Sequence, residues 1–215
     1  MPKSRAWIIK FGGSLAGTPA FGACLSGLAA AGWPCVMVPG GGVFSRAVRD
    51  AQSAMVFDDI AAHRMAILAM TQYGLAMASM APGLARGDLQ ALEKTPATGP
   101  VVWLPSLLDV DAMDRAGIPN DWSVSSDSLA LWLGQHLGSP ALILIKSCSP
   151  TLLPQASVVA ADRLGLPDVL CKPGRLFAIP KPLLSQLAET GVVDTALPVL
   201  AMREASPAVY VYCLR

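Results

Sequence analysis

The chain has the length and composition of a folded protein with a large apolar core. It contains 215 residues, of which 53% are hydrophobic and 14% are charged, enough for one domain or for two lobes that share a sheet. The formal net charge is only +1 and the lysines and arginines form no run, so we expect no nucleic-acid partner and no membrane-surface partner.

Short apolar runs alternate with helical patterns along the chain. The runs predict strands at residues 7–11, 35–38, 101–104, 141–145 and 208–213, and the first four have the unbroken apolar character of buried parallel strands. The helical patterns predict helices at residues 19–31, 44–55, 58–80 and 128–137. We therefore expect an α/β sandwich that binds its ligands beyond the carboxyl ends of the strands.

The first predicted strand has a lysine one residue before its end and is followed by two glycines. In the stretch Lys10-Phe11-Gly12-Gly13-Ser14, the glycines expose backbone N–H groups that a phosphate can approach, and Lys10 adds a positive charge. The pattern indicates an anion-binding loop, although Gly12 and Gly13 could also serve turn geometry alone. It is not a P-loop, because the lysine precedes the glycines.

The second predicted strand also runs into glycines. Pro39-Gly40-Gly41-Gly42 follows it, and Arg46 lies one turn into the next predicted helix. Three glycines permit close approach of a ligand, and an arginine at this place can pair with a carboxylate or a phosphate. The alternative is a tight strand-to-helix turn with a solvated Arg46.

A second lysine and an acidic helix start complete the candidate site. Lys146 follows the predicted strand 141–145, while Ser126 and Asp127 precede the predicted helix 128–137. Two lysines that approach one polyphosphate would repel each other, and a carboxylate between them would hold both in place. The alternatives are a surface role for Lys146 and ordinary helix capping by Ser126 and Asp127.

Together these segments resemble the amino acid kinase superfamily, which includes acetylglutamate, aspartate and uridylate kinases. Residues 10–14 are similar to its opening Lys-x-Gly-Gly loop, 39–46 to the second glycine loop of uridylate kinases, 126–130 to its Thr-Asp-Thr-Ala-Ala stretch and 142–147 to its Leu-Leu-Lys strand end. The order and separation of the four segments match, over about two thirds of the chain. The resemblance implies a three-layer αβα sandwich with a mostly parallel sheet. It also implies a single domain, 1–215, with an acceptor-binding lobe at about 1–138 and an ATP-binding lobe at about 139–215.

Within this superfamily, residues 58–67, Met70, 72–74 and 121–123 look most like the small kinases of methanofuran-type cofactor synthesis, which phosphorylate an aminomethylfuran methyl phosphate to its diphosphate. The implied catalytic residues are Lys10, Lys146 and Asp127, with ATP and Mg²⁺ as cofactors and no metal site on the protein itself. The implied phosphate and ATP contacts are Gly12, Gly13, Ser14, Ser147 and Lys172. The implied acceptor contacts are Gly40, Gly41, Gly42, Arg46, His63, Asp121, Ser123 and Ser126.

One departure from the family concerns the nucleotide side. Family members usually carry an Asp-Gly pair after the second lysine, and residues 146–151 contain none. Lys172 could serve ATP instead, or lie in a solvated basic loop, and His63 could line the acceptor pocket or be a core residue. Three functions stay open: the furan phosphate kinase, a kinase for uridylate or an amino acid, and a non-catalytic binding or assembly protein on this fold.

The stretch 65–84 carries no charged residue. It has the length of a membrane span, but polar residues interrupt it and Pro82-Gly83 closes it, so we expect a buried helix and no membrane. Its apolar residues spread around the helix, which predicts a homodimer or an assembly of dimers.

Five cysteines lie far apart along the chain: Cys24, Cys35, Cys148, Cys171 and Cys213. Their odd number and wide spacing favour reduced core residues, and the run before Lys10 is too short for a signal peptide. We therefore expect a cytoplasmic protein.

Overall fold

The fold is organised around one mixed sheet. The computed structural model describes residues 6–153, 156–170 and 174–214. These residues contain β1 (Trp7–Phe11), β2 (Cys35–Val38), β3 (Ala85–Gly87), β4 (Pro100–Trp103), β5 (Ala141–Lys146), β6 (Ser157–Val159), β7 (Arg175–Ile179) and β8 (Ala208–Cys213). The strand order across the sheet is β3-β4-β2-β1-β5-β8-β7-β6. Neighbours from β3 to β8 pair in parallel, whereas β7 is antiparallel to both β8 and β6.

Helices cover both faces of this sheet. They are α1 (Pro19–Ala31), α2 (Gly42–Met55), α3 (Asp59–Met80), α4 (Leu89–Lys94), α5 (Leu107–Arg115), α6 (Ser126–Leu137), α7 (Lys181–Glu189) and α8 (Leu197–Ala201). Successive strand residues point to opposite faces. Ile9 therefore packs in a core cluster with α1 residues such as Leu25. Ile8 packs in a second cluster with α6 and α7 residues such as Leu131 and Leu184. The expected three-layer αβα sandwich is confirmed.

Local signals explain where the main helices begin and end. Thr18 Oγ1 accepts a hydrogen bond from Phe21 N at 3.2 Å and so caps α1, which ends at Gly32 in the left-handed conformation, with φ of 60°. Asp58 Oδ1 accepts from Ala61 N at 2.7 Å at the start of α3. The predicted strands and helices are all present, with bounds that differ from the expected ones by at most two residues.

The long, charge-poor helix α3 packs on the protein itself. Ile67, Tyr73 and Met77 are buried in the two core clusters. Among the helices of the described residues, none combines the length and the apolarity that a membrane crossing needs. Cys24 and Cys35 are buried thiols, and burial raises the pKa of each to about 12, whereas Cys171 lies outside the described residues.

Candidate active site

The candidate site lies where β1 and β5 end side by side. β1 has β2 on one side and β5 on the other, so the strand order reverses between β1 and β5. Lys10 of β1 is in register with Leu144 of β5, which places Lys146 at the end of the neighbouring strand. In open α/β sheets, ligands bind in the crevice beyond the carboxyl ends of the strands at such a reversal.

Asp127 contacts both of the lysines that end these strands. Lys10 Nζ lies 2.7 Å from Asp127 Oδ1, and Lys146 Nζ donates a hydrogen bond to Asp127 Oδ2. The side chains of Lys10 and Asp127 are 5% and 3% exposed, whereas that of Lys146 is 14% exposed. Two positive charges and one negative charge leave a net charge of +1, and Lys146 is its more accessible part.

The electrostatics of the cluster keep the carboxylate ionised. Burial lowers the pKa of Lys10, an effect that Asp127 opposes and Lys146 reinforces. Burial alone would raise the pKa of Asp127, but Lys10 and Lys146 outweigh it and hold that pKa at about 2. Asp127 is therefore an anion at neutral pH and supplies the counter-charge for both ammonium groups.

The first turn of α6 positions Asp127. Ser125, rather than the expected Ser126, is the N-cap of α6, and its hydroxyl accepts from Asp127 N at 3.3 Å. The reason is one of register, because α6 begins two residues earlier than predicted and Ser126 is already helical. Ser125 has the extended backbone of a cap, which lets its hydroxyl reach back to the first helical N–H groups.

Asp194, which no sequence pattern predicted as part of the site, holds this helix start from outside. Its carboxylate accepts from Ser125 N at 2.8 Å, from Ser128 N at 3.0 Å and from Leu197 N at 3.0 Å. It also accepts from the hydroxyls of Ser125 and Ser128. One carboxylate therefore fastens the starts of both α6 and α8.

The two glycine loops pack against each other. A Cβ on Gly13 would lie 2.8 Å from Gly42 N, and a Cβ on Gly40 would lie 2.8 Å from Gly13 N, closer than side chains tolerate. The absence of side chains thus lets the loops meet. Gly42 also needs its glycine identity, because it has φ of +54° at the start of α2.

Contacts between loops connect β1 to β5, and one of them gives Gly12 a structural role that differs from the expected one. Gly12 N donates to Ile145 O at 3.1 Å. This N–H completes the sheet and is not available as the phosphate donor that we expected. The hydroxyls of Ser14 and Ser147 lie 3.0 Å apart, so these two expected phosphate contacts do come together.

A pocket of about 90 Å³ lies beside the second glycine loop. Its lining includes Gly41, Arg49, His63, Trp122 and Ser126. Of the expected acceptor contacts, Gly41, His63 and Ser126 therefore line it. Arg46 is exposed, and the lining among the described residues includes Arg49 instead.

The segment 121–123 closes this pocket through Trp122. The Arg49 guanidinium carbon stacks 3.7 Å from the centroid of the Trp122 ring, and Trp122 Nε1 donates to Gln52 Oε1 at 2.6 Å. The neighbours of Trp122 bond to each other, because Ser123 N donates to Asp121 Oδ1 at 2.8 Å. Asp121 and Ser123 thus shape the turn rather than line the pocket.

His63 is buried in the pocket wall, with 4% of its surface exposed. Burial lowers its pKa, and smaller opposing effects come from the backbone of Asp121 and from the carboxylates of Asp114 and Asp121. Its Nε2 atom has no hydrogen-bond partner. The ring is therefore neutral near pH 7 and presents an unused polar atom.

Lys172, an expected ATP contact, lies outside the described residues. Within residues 6–153, 156–170 and 174–214, no three His, Cys, Asp or Glu side chains cluster in a way that could hold a metal ion.

The sandwich, with its charged cluster at the reversal of strand order, has the fold of uridylate kinases, which belong to the amino acid kinase superfamily. The uridylate kinase from Archaeoglobus fulgidus matches with a TM-score of 0.62 and 14% identity, over 97% of this chain and 91% of that one. The UMP kinase from Bacillus anthracis matches with a TM-score of 0.57 and 13% identity, over 99% of this chain and 88% of that one. Comparisons of the sequence with protein-family models and with curated proteins give no match.

Proposed function

We propose that this protein is an ATP-dependent phosphotransferase whose acceptor is a small phosphate or carboxylate metabolite. The observation that carries the proposal is the buried cluster of Lys10, Lys146 and Asp127, with its net positive charge at the reversal of strand order. Phosphoryl transfer requires positioning and charge neutralisation more than covalent chemistry. A fixed pair of ammonium groups meets both needs.

The roles follow from exposure and position. Lys146, the more accessible ammonium, contacts the transferring phosphoryl group, and Lys10 stabilises the same charge from inside the sheet. Asp127 keeps the two cations together and does not itself take a proton, since its pKa lies far below neutral pH. Gly13, Ser14 and Ser147 border the place where the phosphates would lie.

In this proposal each lobe binds one of the two substrates. The pocket of Arg49, His63 and Trp122 belongs to the acceptor lobe, at about 1–138, and ATP would lie on the side of the lobe at about 139–215. Asp127 is fully engaged by lysines, and the described residues offer no metal cluster. We therefore expect Mg²⁺ to enter with ATP, bound mainly by phosphates and water.

For the acceptor we propose an (aminomethyl)furan-methyl phosphate, converted to its diphosphate in methanofuran-type cofactor synthesis. The small pocket, with an aromatic wall at Trp122 and a cation at Arg49, supports a compact ring that carries a phosphate. Uridylate is the second candidate, because the matched structures are uridylate kinases.

An acceptor screen tests the proposal. Purified protein is incubated with Mg·ATP and with furan phosphates, UMP or amino acids, and ADP release is followed with the Lys146→Met variant as the matched control. We expect ADP release that depends on one acceptor and on Lys146. Release with no acceptor, together with no saturable ATP binding in isothermal titration, would favour a binding or assembly protein instead.

We also propose a homodimer that covers the outer face of α3. Ile60, Met65, Leu68, Leu75 and Met80 are 50%, 38%, 40%, 45% and 51% exposed in the single chain. Apolar side chains exposed to this extent need a cover, and a two-fold pairing would bury the same residues on both subunits. A cytoplasmic location is proposed with it, since the buried thiols Cys24 and Cys35 suit a reducing compartment.

A further inference from the structure

His63 carries a polar atom that the folded chain leaves unused. The residue is 4% exposed, and its Nε2 atom is buried without a hydrogen-bond partner. A buried polar group that lacks a partner is costly, and such groups are rare in folded proteins. The cost is offset if a ligand supplies the partner.

The place of this atom is specific. His63 lies in the lining of the pocket that Gly41, Arg49 and Trp122 also form. Arg49 is a cation held on the face of Trp122, and Trp122 is held in turn by Gln52. The pocket lining therefore combines an anion-binding group with a histidine whose Nε2 atom is buried and unpartnered.

The protonation of the ring fixes what that nitrogen can do. Burial lowers the pKa of His63, and the nearby backbone of Asp121 opposes this effect in the way that a hydrogen-bond acceptor does. We assign the proton of the neutral ring to Nδ1, because Nε2 is the nitrogen without a partner. Nε2 is then an acceptor and requires a donor.

We propose that His63 Nε2 accepts a hydrogen bond from an N–H or O–H group of the acceptor substrate and so determines its specificity. The substrate class is a small anion that carries its phosphate or carboxylate toward Arg49 and a hydrogen-bond donor at its other end. This inference rests on the proposed function only in taking the pocket as the acceptor site. An analogue without the donor would leave Nε2 unpaired and would bind more weakly.

Nitrogen NMR of histidine tests the contact directly in the intact protein. The chain has 2 histidines, so a ¹⁵N-histidine sample reports His63 and His136 alone. His136 is an internal control, because its Nε2 already lies 2.6 Å from Glu93 Oε1. The probes are 5-(aminomethyl)furan-3-ylmethyl phosphate and its analogue with methyl in place of aminomethyl.

We expect the amine probe to shift the Nε2 resonance of His63 and to leave His136 unchanged. The methyl analogue should produce no such shift. Equal shifts with both probes, or no shift with millimolar amine probe, would overturn the proposal.

Two variants provide the functional readout. His63→Phe keeps a planar ring without an acceptor, and His63→Gln keeps an acceptor oxygen. Loss of one such hydrogen bond should lower kcat/KM for the amine probe about 10- to 100-fold, through KM, in His63→Phe. His63→Gln should recover part of the loss.

The outcomes separate this inference from the proposed function. An amine-specific shift at His63 without any turnover would sink the kinase proposal and leave the contact standing. Turnover with no discrimination between the probes in wild type, or unchanged discrimination in His63→Phe, would sink the contact and leave the kinase standing.

Discussion

The charges of the lysine cluster predict unequal losses of stability for two substitutions. Lys146→Met removes one cation and leaves Lys10 and Asp127 as a neutral buried pair. Asp127→Asn removes the carboxylate that contacts both lysines and leaves two ammonium groups side by side. Removal of one partner from a buried ion pair costs about 3 to 5 kcal/mol, because the other charge stays buried and unpaired. We expect a loss of that order in Asp127→Asn and of about 1 kcal/mol in Lys146→Met, whose side chain keeps most of the packing of the lysine stem.

Lys146→Met should affect turnover much more strongly than stability. Lys146→Met removes a charge that acts on the transferring phosphoryl group, and the loss of one such contact lowers the rate about 10² to 10³-fold in other enzymes. The variant should therefore be nearly as stable as the wild type and almost inactive. Lys94→Met, at an exposed lysine of α4, is the matched control and should change neither property.

Urea unfolding and ADP release measure the two properties. Unfolding can be followed by tryptophan fluorescence, because Trp103 and Trp132 are 0% and 2% exposed and reach water only when the core opens. Near-normal turnover of Lys146→Met would show that its ammonium group takes no part in catalysis. If Lys146→Met and Asp127→Asn lowered the free energy of unfolding equally, the reasoning from the charges of the cluster would be refuted.

Three further predictions concern stability and assembly. Asp194→Ala should lower the free energy of unfolding by about 2 to 4 kcal/mol, because the donors at the starts of α6 and α8 lose their acceptor. Urea titration measures this change, and a smaller loss than in the control variant Ser206→Ala would contradict the prediction. The pKa of Asp127 is lowered from 3.8 to about 2, so its stabilising contribution is complete above about pH 4 and is lost as the pH falls toward about 2. Acid titrations should reveal that component in wild type and not in Asp127→Asn. Leu68→Glu, on the outer face of α3, should convert the proposed dimer into monomers in sedimentation, and a 22.4 kDa species for the wild type at micromolar concentration would contradict the dimer.

The glycines and lysines at the strand ends were predictable because they are recognisable in the local sequence. β1, β2 and β5 are mostly apolar; glycines follow β1 directly and follow β2 after Pro39, and β5 ends in Lys146, so the parallel arrangement brings these residues to one edge. The meeting of Lys10, Lys146 and Asp127 follows from that arrangement and from the charge balance.

Short elements escaped prediction because tertiary pairing creates them. β3 and β6 are three residues long and mostly exposed, so neither has an apolar pattern of its own. They are strands because β4 and β7 offer them an edge for hydrogen bonding.

Two functional details depend on contacts that are distant in sequence. Asp194 caps a helix start that lies 66 to 69 residues earlier, and a single aspartate gives no local sign of that role. Arg49 rather than Arg46 reaches the pocket because Trp122 folds over α2 and is held there by Gln52, 70 residues away.

Phosphorus NMR of the complete reaction tests the central claim most directly. Wild-type protein is incubated with Mg·ATP and with the aminomethylfuran methyl phosphate or UMP, and the ³¹P spectrum is recorded over time beside the Lys146→Met variant. The account predicts that ADP and a new diphosphate appear together in equal amounts in wild type and are nearly absent in the variant. ATP that stays intact with both acceptors, or a diphosphate that forms equally fast without Lys146, would contradict it.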